Sequence, residues 1–186
     1  MVSLEKLTGR RVRVTLPSGV YVVPSGSVPP GTEEIDEKQL QSLQTHSARS
    51  DAQRFLEYSE RSTGQLEKKI ISLGYPDALA KETVNWAKEY GFVDDVRFSR
   101  LFVRSRTMGK ARLRVELISR GVEETAVEQF LSGFSEQREF PETVAAVKKK
   151  YAGITDREKA FRRAAGWLQR RGFSAEFIHR VLQEAL

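Results

Sequence analysis

The stretch LRVELISRGVEETAVEQFL, residues 113–131, decides the fold because the chain carries its pattern in two other places. LEKKIISLGYPDALAKETV at 66–84 and AAGWLQRRGFSAEFIHRVL at 164–182 align with it when Gly74, Gly121 and Gly172 are superposed. The three glycines lie about 50 residues apart, a spacing typical of repeat proteins. The chain is therefore predicted to contain three copies of one structural unit.

Apolar residues hold equivalent positions around each glycine. The sets are Ile70, Leu117 and Leu168 before it, Tyr75, Val122 and Phe173 directly after it, then Ala80, Val127 and Ile178, and finally Val84, Leu131 and Leu182. Glycine readily takes the left-handed conformation that ends a helix, and the residue after it then packs back onto the last turn. The pattern predicts a helix, a glycine turn and a second helix in each copy.

A further helical segment precedes each of these hairpins, so each repeat is predicted to have three helices. The segments are DAQRFLEYSER, DDVRFSRLFVRSRT and PETVAAVKKKYAG. A unit of this size buries little apolar surface alone, so we expect the repeats to stack into an extended, curved array. Asp36 is predicted to cap a lead-in helix through EKQLQSLQTH, and Ser174 to cap the last helix.

The first residues follow a different pattern. RRVRVTLPSGVYVVP, residues 10–24, alternates apolar and polar positions around a Pro-Ser-Gly turn and predicts a β-hairpin. PSGSVPPGTEE then has the composition of a linker. The fold class is thus mainly α, with three tandem three-helix repeats and a small β-hairpin. The predicted divisions are the hairpin and linker at 1–34, the lead-in helix and repeat 1 at 35–92, repeat 2 at 93–136 and repeat 3 at 137–186.

Positive charge is concentrated in one part of the chain. The net charge is +6, yet eight basic residues and one acidic residue lie between Arg97 and Arg120. Such a cluster is either a solvated helix face or a surface for a polyanionic partner. The absence of acidic residues at helical spacing from these arginines favours the partner. The candidate binding residues are Arg97, Arg100, Arg104, Arg106, Lys110, Arg112, Arg114, Arg120, Lys148, Lys149, Lys150, Arg162, Arg163, Arg170 and Arg171.

A helical wheel orients the first part of this cluster. Arg97, Arg100 and Arg104 fall on one stripe, which is expected to face outward. The opposite stripe, which is expected to face the array, is formed by Phe98, Leu101, Phe102 and Ser105.

Residues suited to catalysis are few. The chain has no cysteine, and its two histidines, His46 and His179, stand far apart without an acid and nucleophile pattern. Neither a phosphate-binding loop nor a dinucleotide fingerprint is present. Asp94 and Asp95 are interpreted as helix caps. Neither an enzymatic activity nor a cofactor or metal is therefore predicted.

Three further expectations concern the core, the location and the oligomeric state. Trp86 and Trp167 lie at helical spacing among other apolar residues, so they are expected to face the core. The sequence shows neither a signal peptide nor a membrane span, which predicts a cytoplasmic protein. We expect it to be a monomer.

Four segments in order resemble the RecX family, the bacterial regulators of the RecA recombinase. They are RSTGQLEKKIISLGY, GFVDDVRFSRLFVRSR, GKARLRVELISRGV and LQRRGFSAEFIHRVL, and the resemblance runs from about residue 51 to the C-terminus. Ser99 stands where members of the family commonly carry alanine.

The resemblance implies a regulatory role. It implies three tandem three-helix repeats that bind the RecA filament on single-stranded DNA. It also implies that the protein inhibits ATPase, strand-exchange and coprotease activities in recombination, DNA repair and the SOS response. Weak, non-specific binding to single-stranded DNA is expected as well. The alternative is a helix-turn-helix transcription regulator, although no helix shows the base-reading Asn or Gln of a recognition helix.

The glycine turn gives a first prediction. Replacing Gly121 by alanine places a Cβ atom in a left-handed turn, so we expect a loss of about 1 kcal/mol in the free energy of unfolding. Thermal or urea unfolding monitored by circular dichroism measures this loss. An unchanged midpoint would contradict the predicted helix end.

Overall fold

The computed structural model describes residues 3–7, 10–29, 36–104 and 106–186. The chain forms two compact units, Met1–Asp94 and Asp95–Leu186. The predicted 24–34 linker lies partly outside the described residues, as does Ser105. The described part contains nine α-helices and one sheet, which confirms the mainly α fold class.

The sheet has three antiparallel strands: β1 (Ser3–Leu7), β2 (Arg11–Leu16) and β3 (Gly19–Pro24), in the order β1-β2-β3. The predicted hairpin corresponds to β2 and β3, but the prediction missed β1. β1 is almost wholly exposed and lacks alternation, and it is held by its pairing with β2. An edge strand of this kind leaves little signal in the sequence.

The sheet packs on the first helix, α1 (Glu37–Glu57). Val22 faces the core of repeat 1, and Val23 packs with Val14 and Leu40. The amide of Val22 also donates to Gln44 Oε1 of α1 at 3.0 Å. Both faces of β3 are therefore buried at Val22 and Val23.

Repeat 1 consists of α1, α2 (Thr63–Ser72) and α3 (Asp77–Glu89). Asp36 caps α1 as predicted, accepting from the amide of Lys38 at 2.9 Å. The separation into a lead-in helix and a first repeat helix is wrong, because α1 is continuous. One stripe of buried residues, four positions apart, crosses from the predicted lead-in segment into the predicted first repeat helix: Leu40, Gln44, Ala48 and Ala52.

Repeats 2 and 3 form the second unit. Repeat 2 has α4 (Asp95–Val103), α5 (Lys110–Ser119) and α6 (Glu124–Ser132). A 3₁₀ turn at Glu136–Glu139 leads to repeat 3, which has α7 (Phe140–Tyr151), α8 (Arg157–Arg170) and α9 (Ala175–Ala185). Each repeat has its own apolar core.

The predicted glycine turns are confirmed. Gly74, Gly121 and Gly172 have φ values of 95°, 74° and 78°. In repeat 2 the amide after the glycine donates to Leu117 O at 3.1 Å, and in repeat 3 the equivalent bond reaches Leu168 O at 3.4 Å. These are the bonds of a Schellman turn. The aligned apolar residues are buried, except that Ile178 is only partly buried.

The predicted orientation of α4 needs one correction. Phe98 and Phe102 face the core of repeat 2 as expected, but Leu101 is 40% exposed. Ser99 is fully buried instead, and its hydroxyl donates to Asp95 O at 2.7 Å. A small residue lets α4 approach its neighbours closely, and its polar group is satisfied within the helix.

Repeats 2 and 3 meet through their backbones. The amide of Gly109 donates to Arg171 O at 2.9 Å, and a Cβ atom on Gly109 would lie 2.1 Å from Gly172 O. The side chain of Glu136 also lies at this contact between the two repeats. It accepts from the amide of Lys110 at 2.9 Å and from the hydroxyl of Ser174 at 2.7 Å. One carboxylate thus accepts hydrogen bonds from residues at the starts of two helices, α5 and α9.

This backbone contact gives a second prediction. Gly109 has φ −77°, an ordinary value for any residue, so alanine there is opposed by the close backbone of Gly172 and Phe173 rather than by its own conformation. We expect Gly109→Ala to lower the free energy of unfolding by about 1–3 kcal/mol, the range for overpacking. Urea unfolding measures the loss. Gly153→Ala is the matched control, because a Cβ atom there meets nothing within 4 Å, and it should be close to neutral.

Candidate partner-binding surface

All fifteen candidate basic residues lie in the unit Asp95–Leu186, but they differ in what they contact. Arg112, Arg114 and Arg120 form ion pairs within repeat 2. Glu116 bridges Arg112 and Arg120, each one helical turn away. Arg114 pairs with acidic residues of α6, including Glu124 at 2.9 Å. The expectation that no acid stands at helical spacing from the arginines is therefore wrong.

Glu116 is held firmly as the anion of this bridge. Its side chain is 15% exposed, whereas those of Arg112 and Arg120 are 48% and 32% exposed. The hydrogen bond from Arg120 lowers the pKa of Glu116 below its ordinary value, and the positive charges of both arginines add to this effect. Arg112 and Arg120 are thus partly neutralised before any partner arrives.

Other members of the set stack on aromatic rings. The guanidinium groups of Arg106 and Arg120 lie 4.0 Å and 4.4 Å from the ring centre of Phe102. Arg171 lies 4.3 Å from the ring centre of Trp167 and donates to Thr107 O at 2.8 Å. These arginines therefore cover apolar surface and tie segments together.

Arg100 and Arg104 are arranged differently. They are exposed, one turn apart, and form no ion pair with the described residues. Both line a cleft of about 500 Å³ between α4 and the segment that follows α6. A third exposed arginine, Arg138 of the 3₁₀ turn, lines the opposite wall and likewise has no ion pair among these residues.

The floor of this cleft is apolar. It contains Val96 and Val103 of α4, with Phe130 and Phe134 across from them. The remaining lining residues are Gln129, Gly133, Ser135 and Glu139. We call this site the arginine cleft. The sequence does not single out Arg138, because this residue lies in a short segment without helical periodicity, and only the fold brings it to the same cleft as α4.

Glu139 is the acidic residue among the described lining residues. Burial raises the pKa of its carboxyl above the ordinary value, and the negative charge of Glu142 raises it further. The three arginines still outnumber it, so the cleft carries a net positive charge.

The remaining candidates lie outside the arginine cleft. Arg97 is half-buried on α4, and Lys110 is exposed at the start of α5. The others are exposed near the end of α7 or on α8: Lys148, Lys149, Lys150, Arg162, Arg163 and Arg170. Lys150 lies 5.9 Å from the ring centre of Trp167, and Arg162 is within 3.9 Å of Glu158.

The residues considered for catalysis have other surroundings. His46 and His179 are exposed. Asp95 is buried, and its carboxylate accepts from the amide of Glu123 at 2.7 Å, so it caps the start of α6 across repeat 2. No group of three or more His, Asp or Glu residues suited to a metal ion occurs in the described ranges. None of the described helices has the length and apolar character of a membrane span.

The tryptophans lie at the edges of the cores. Trp86 is half-buried beside the core of repeat 1, with Arg49 over its ring at 5.2 Å from the centre. Tyr90 and Phe92 lie next to it and are 64% and 38% exposed. Trp167 is likewise partly buried against the core of repeat 3. Both tryptophans thus pack against a core as predicted, but each is only partly buried.

Three helical hairpins, each preceded by a further helix, define the class: a tandem three-helix-repeat protein. A family model described as "RecX, second three-helix domain" matches residues 94–131. The chain is 31% identical over 145 residues to the Regulatory protein RecX of Thermobifida fusca, covering 75% of this chain and 78% of that protein. It is 30% identical to the Streptomyces coelicolor protein of the same name, covering 75% and 77%. The chain belongs to the RecX family.

Solved structures agree with this fold. The crystal structure of RecX from Lactobacillus salivarius superposes with a TM-score of 0.67 at 18% identity, covering 76% of this chain and 96% of that one. A second crystal structure of regulatory protein RecX gives a TM-score of 0.63 at 17% identity, covering 98% and 100%. At these identities the likeness shows the fold.

The Glu116 bridge gives a third prediction. In the folded protein the pKa of Glu116 lies below its ordinary value of 4.5. The ionised carboxylate therefore stabilises the fold at pH values above 4.5, and this stabilisation is lost as the pH falls through the pKa of the folded protein. Glu116→Gln should therefore cost up to about 1 kcal/mol at pH 7, the range for partly exposed pairs.

Urea unfolding of the wild type and Glu116→Gln at pH 7 and near pH 4 measures this difference, which should narrow at the lower pH. Glu158→Gln is the control, since that residue is 81% exposed and its contact is 3.9 Å. A pH-independent difference would contradict the ionic origin of the stabilisation.

Proposed function

We propose that this protein regulates the RecA recombinase by binding its filament on single-stranded DNA. Membership of the RecX family supports a regulatory role. The single observation that carries the proposal is the arginine cleft, where Arg100, Arg104 and Arg138 surround an apolar floor without ion pairs among the described residues. Arginines in this state attract an anionic partner and require no internal pair to be broken.

The regulation proposed is inhibition. A protein bound along the filament lowers ATP hydrolysis, strand exchange and coprotease activity by blocking filament extension or promoting disassembly. These activities belong to recombination, DNA repair and the SOS response, and the protein is proposed to act in the cytoplasm. The protein is proposed to act as a monomer. The domain divisions at 34/35, 92/93 and 136/137 remain part of the proposal.

Direct contact with DNA is a secondary part of the proposal. Exposed basic residues on α7 and α8 can approach phosphates: Lys148, Lys149, Arg162, Arg163 and Arg170. Contacts to phosphates are independent of sequence and weaken steeply with salt. Binding to free single-stranded DNA is therefore weak and non-specific. Tight, salt-resistant binding to one duplex sequence would instead support a helix-turn-helix transcription regulator.

A charge-reversal variant gives the fourth prediction. Arg100→Glu with Arg104→Glu should leave the circular dichroism spectrum unchanged, because both side chains are exposed. The concentration needed for half-inhibition of RecA ATP hydrolysis on single-stranded DNA should rise at least about ten-fold, since attraction is replaced by repulsion.

The matched control makes the same change of charge elsewhere in the same unit. Arg157→Glu with Lys159→Glu alters exposed residues in the first turn of α8, where acidic residues are favourable. This control should inhibit like the wild type. Equal inhibition by both double variants would refute a role for the arginine cleft, and no inhibition by the wild type would refute the proposed function.

A further inference from the structure

The arginine cleft has a floor shaped for a side chain. Phe130 and Phe134 have ring centres 5.8 Å apart and planes tilted by 41°, and both are partly buried against the core of repeat 2. Each ring therefore shares its surface with the other and with the core. A nucleic-acid base stacks best on a whole exposed ring face, whereas an apolar side chain fits a floor of tilted rings and valines.

The positive charges stand on both sides of this floor. Arg100 lies in α4 and Arg104 directly follows its last residue, while Arg138 lines the cleft from the 3₁₀ turn. An apolar floor between cationic walls is complementary to an apolar residue with carboxylates on either side. The planar guanidinium group suits carboxylates because it can donate two parallel hydrogen bonds.

Glu139 adds a third requirement. Glu139 is a lining residue of the cleft, and a carboxylate accepts hydrogen bonds. A peptide backbone supplies N–H donors to such a group. A phosphodiester backbone has only acceptors, and its charge would face that of Glu139.

We infer that the arginine cleft binds a short acidic protein segment that inserts one apolar side chain between Phe130 and the valines of α4. Carboxylates flanking the anchor pair with Arg100 and Arg104 on one wall and with Arg138 on the other. The buried anchor supplies affinity, and the charges at the rim set orientation and association rate. The inference rests on the proposed function only in taking a protein as the partner.

Fluorescence anisotropy with a defined probe tests this directly. The probe is a short labelled peptide with one phenylalanine flanked on each side by aspartate and glutamate. Two comparison peptides replace the phenylalanine by serine or the acidic residues by lysine. A short labelled oligothymidylate of matched charge is the nucleic-acid arm.

The wild type should bind the phenylalanine peptide at least about ten-fold more tightly than either comparison peptide, a difference of about 1.4 kcal/mol. Arg138→Glu should weaken this binding by a similar factor, whereas Lys159→Glu should not. Added salt should weaken binding of both acidic peptides but preserve the preference for phenylalanine over serine, because screening acts on the charges.

Absence of peptide binding to the wild type would overturn the inference, and so would each of three further results. Equal affinity for the phenylalanine and serine peptides would show that the floor is not used. A second result is that oligothymidylate displaces the peptide and that Arg138→Glu no longer binds oligothymidylate. This result would assign the cleft to nucleic acid. Unchanged peptide binding by a folded Arg138→Glu variant would place the peptide elsewhere.

The peptide assay contains no recombinase, so its outcome is separate from that of the ATPase assay. In one outcome the peptide binds the wild type but not Arg138→Glu, and Arg100→Glu/Arg104→Glu still inhibits fully. The peptide site would then be retained, and its role in regulating RecA would be rejected. In the opposite outcome the double variant no longer inhibits RecA, and the peptide does not bind the wild type. The proposed function would then be retained, and the inferred peptide site would be rejected.

Discussion

Each repeat reverses direction at a glycine in the left-handed conformation, and the packing of the repeat follows from that turn. A residue with a Cβ atom is strained at such φ values, so glycine allows the second helix to end and the third to begin within a few residues. The turn places Val122 against Leu117 in repeat 2, and Phe173 against Leu168 in repeat 3. The apolar faces of the paired helices then close on one core in each repeat.

The glycine turn of repeat 3 has a second consequence. Because Gly172 and Gly109 both lack a Cβ atom, their backbones approach closely, and the start of α5 lies against the turn between α8 and α9. Glu136 accepts hydrogen bonds from both places. The 3₁₀ turn that carries Arg138 is therefore anchored. One wall of the arginine cleft thus depends on a contact between two glycines.

The count of arginines overstates the charge that this surface offers to a partner. Arg112 and Arg120 share Glu116, and Arg114 meets acidic residues of α6. Exposed pairs of this kind contribute little to stability, but a partner must compete with them for the guanidinium groups. The arginines of the cleft carry no such competition among the described residues, and an apolar floor lies between them. Charge can attract a partner there, and burial of an apolar group can hold it.

The sequence by itself determined the features that depend on neighbours a few residues apart. The three repeats, the glycine turns and the caps at Asp36 and Ser174 follow from short spacings, because helix ends and helix faces are local properties. The ion pairs of Glu116 have the same local i,i+4 spacing, so the sequence also contains their signal, although the expectation that no acid stands at that spacing was wrong.

Only the tertiary structure decided the rest. It paired the featureless strand β1 with β2, buried Ser99 in place of Leu101, and brought Asp95 to the start of α6. It also set Arg138 across from α4 to form the cleft. Apart from Ser99, each of these features joins residues that lie more than a helical turn apart in the sequence. Their meeting is fixed by how the elements pack, which no local periodicity records.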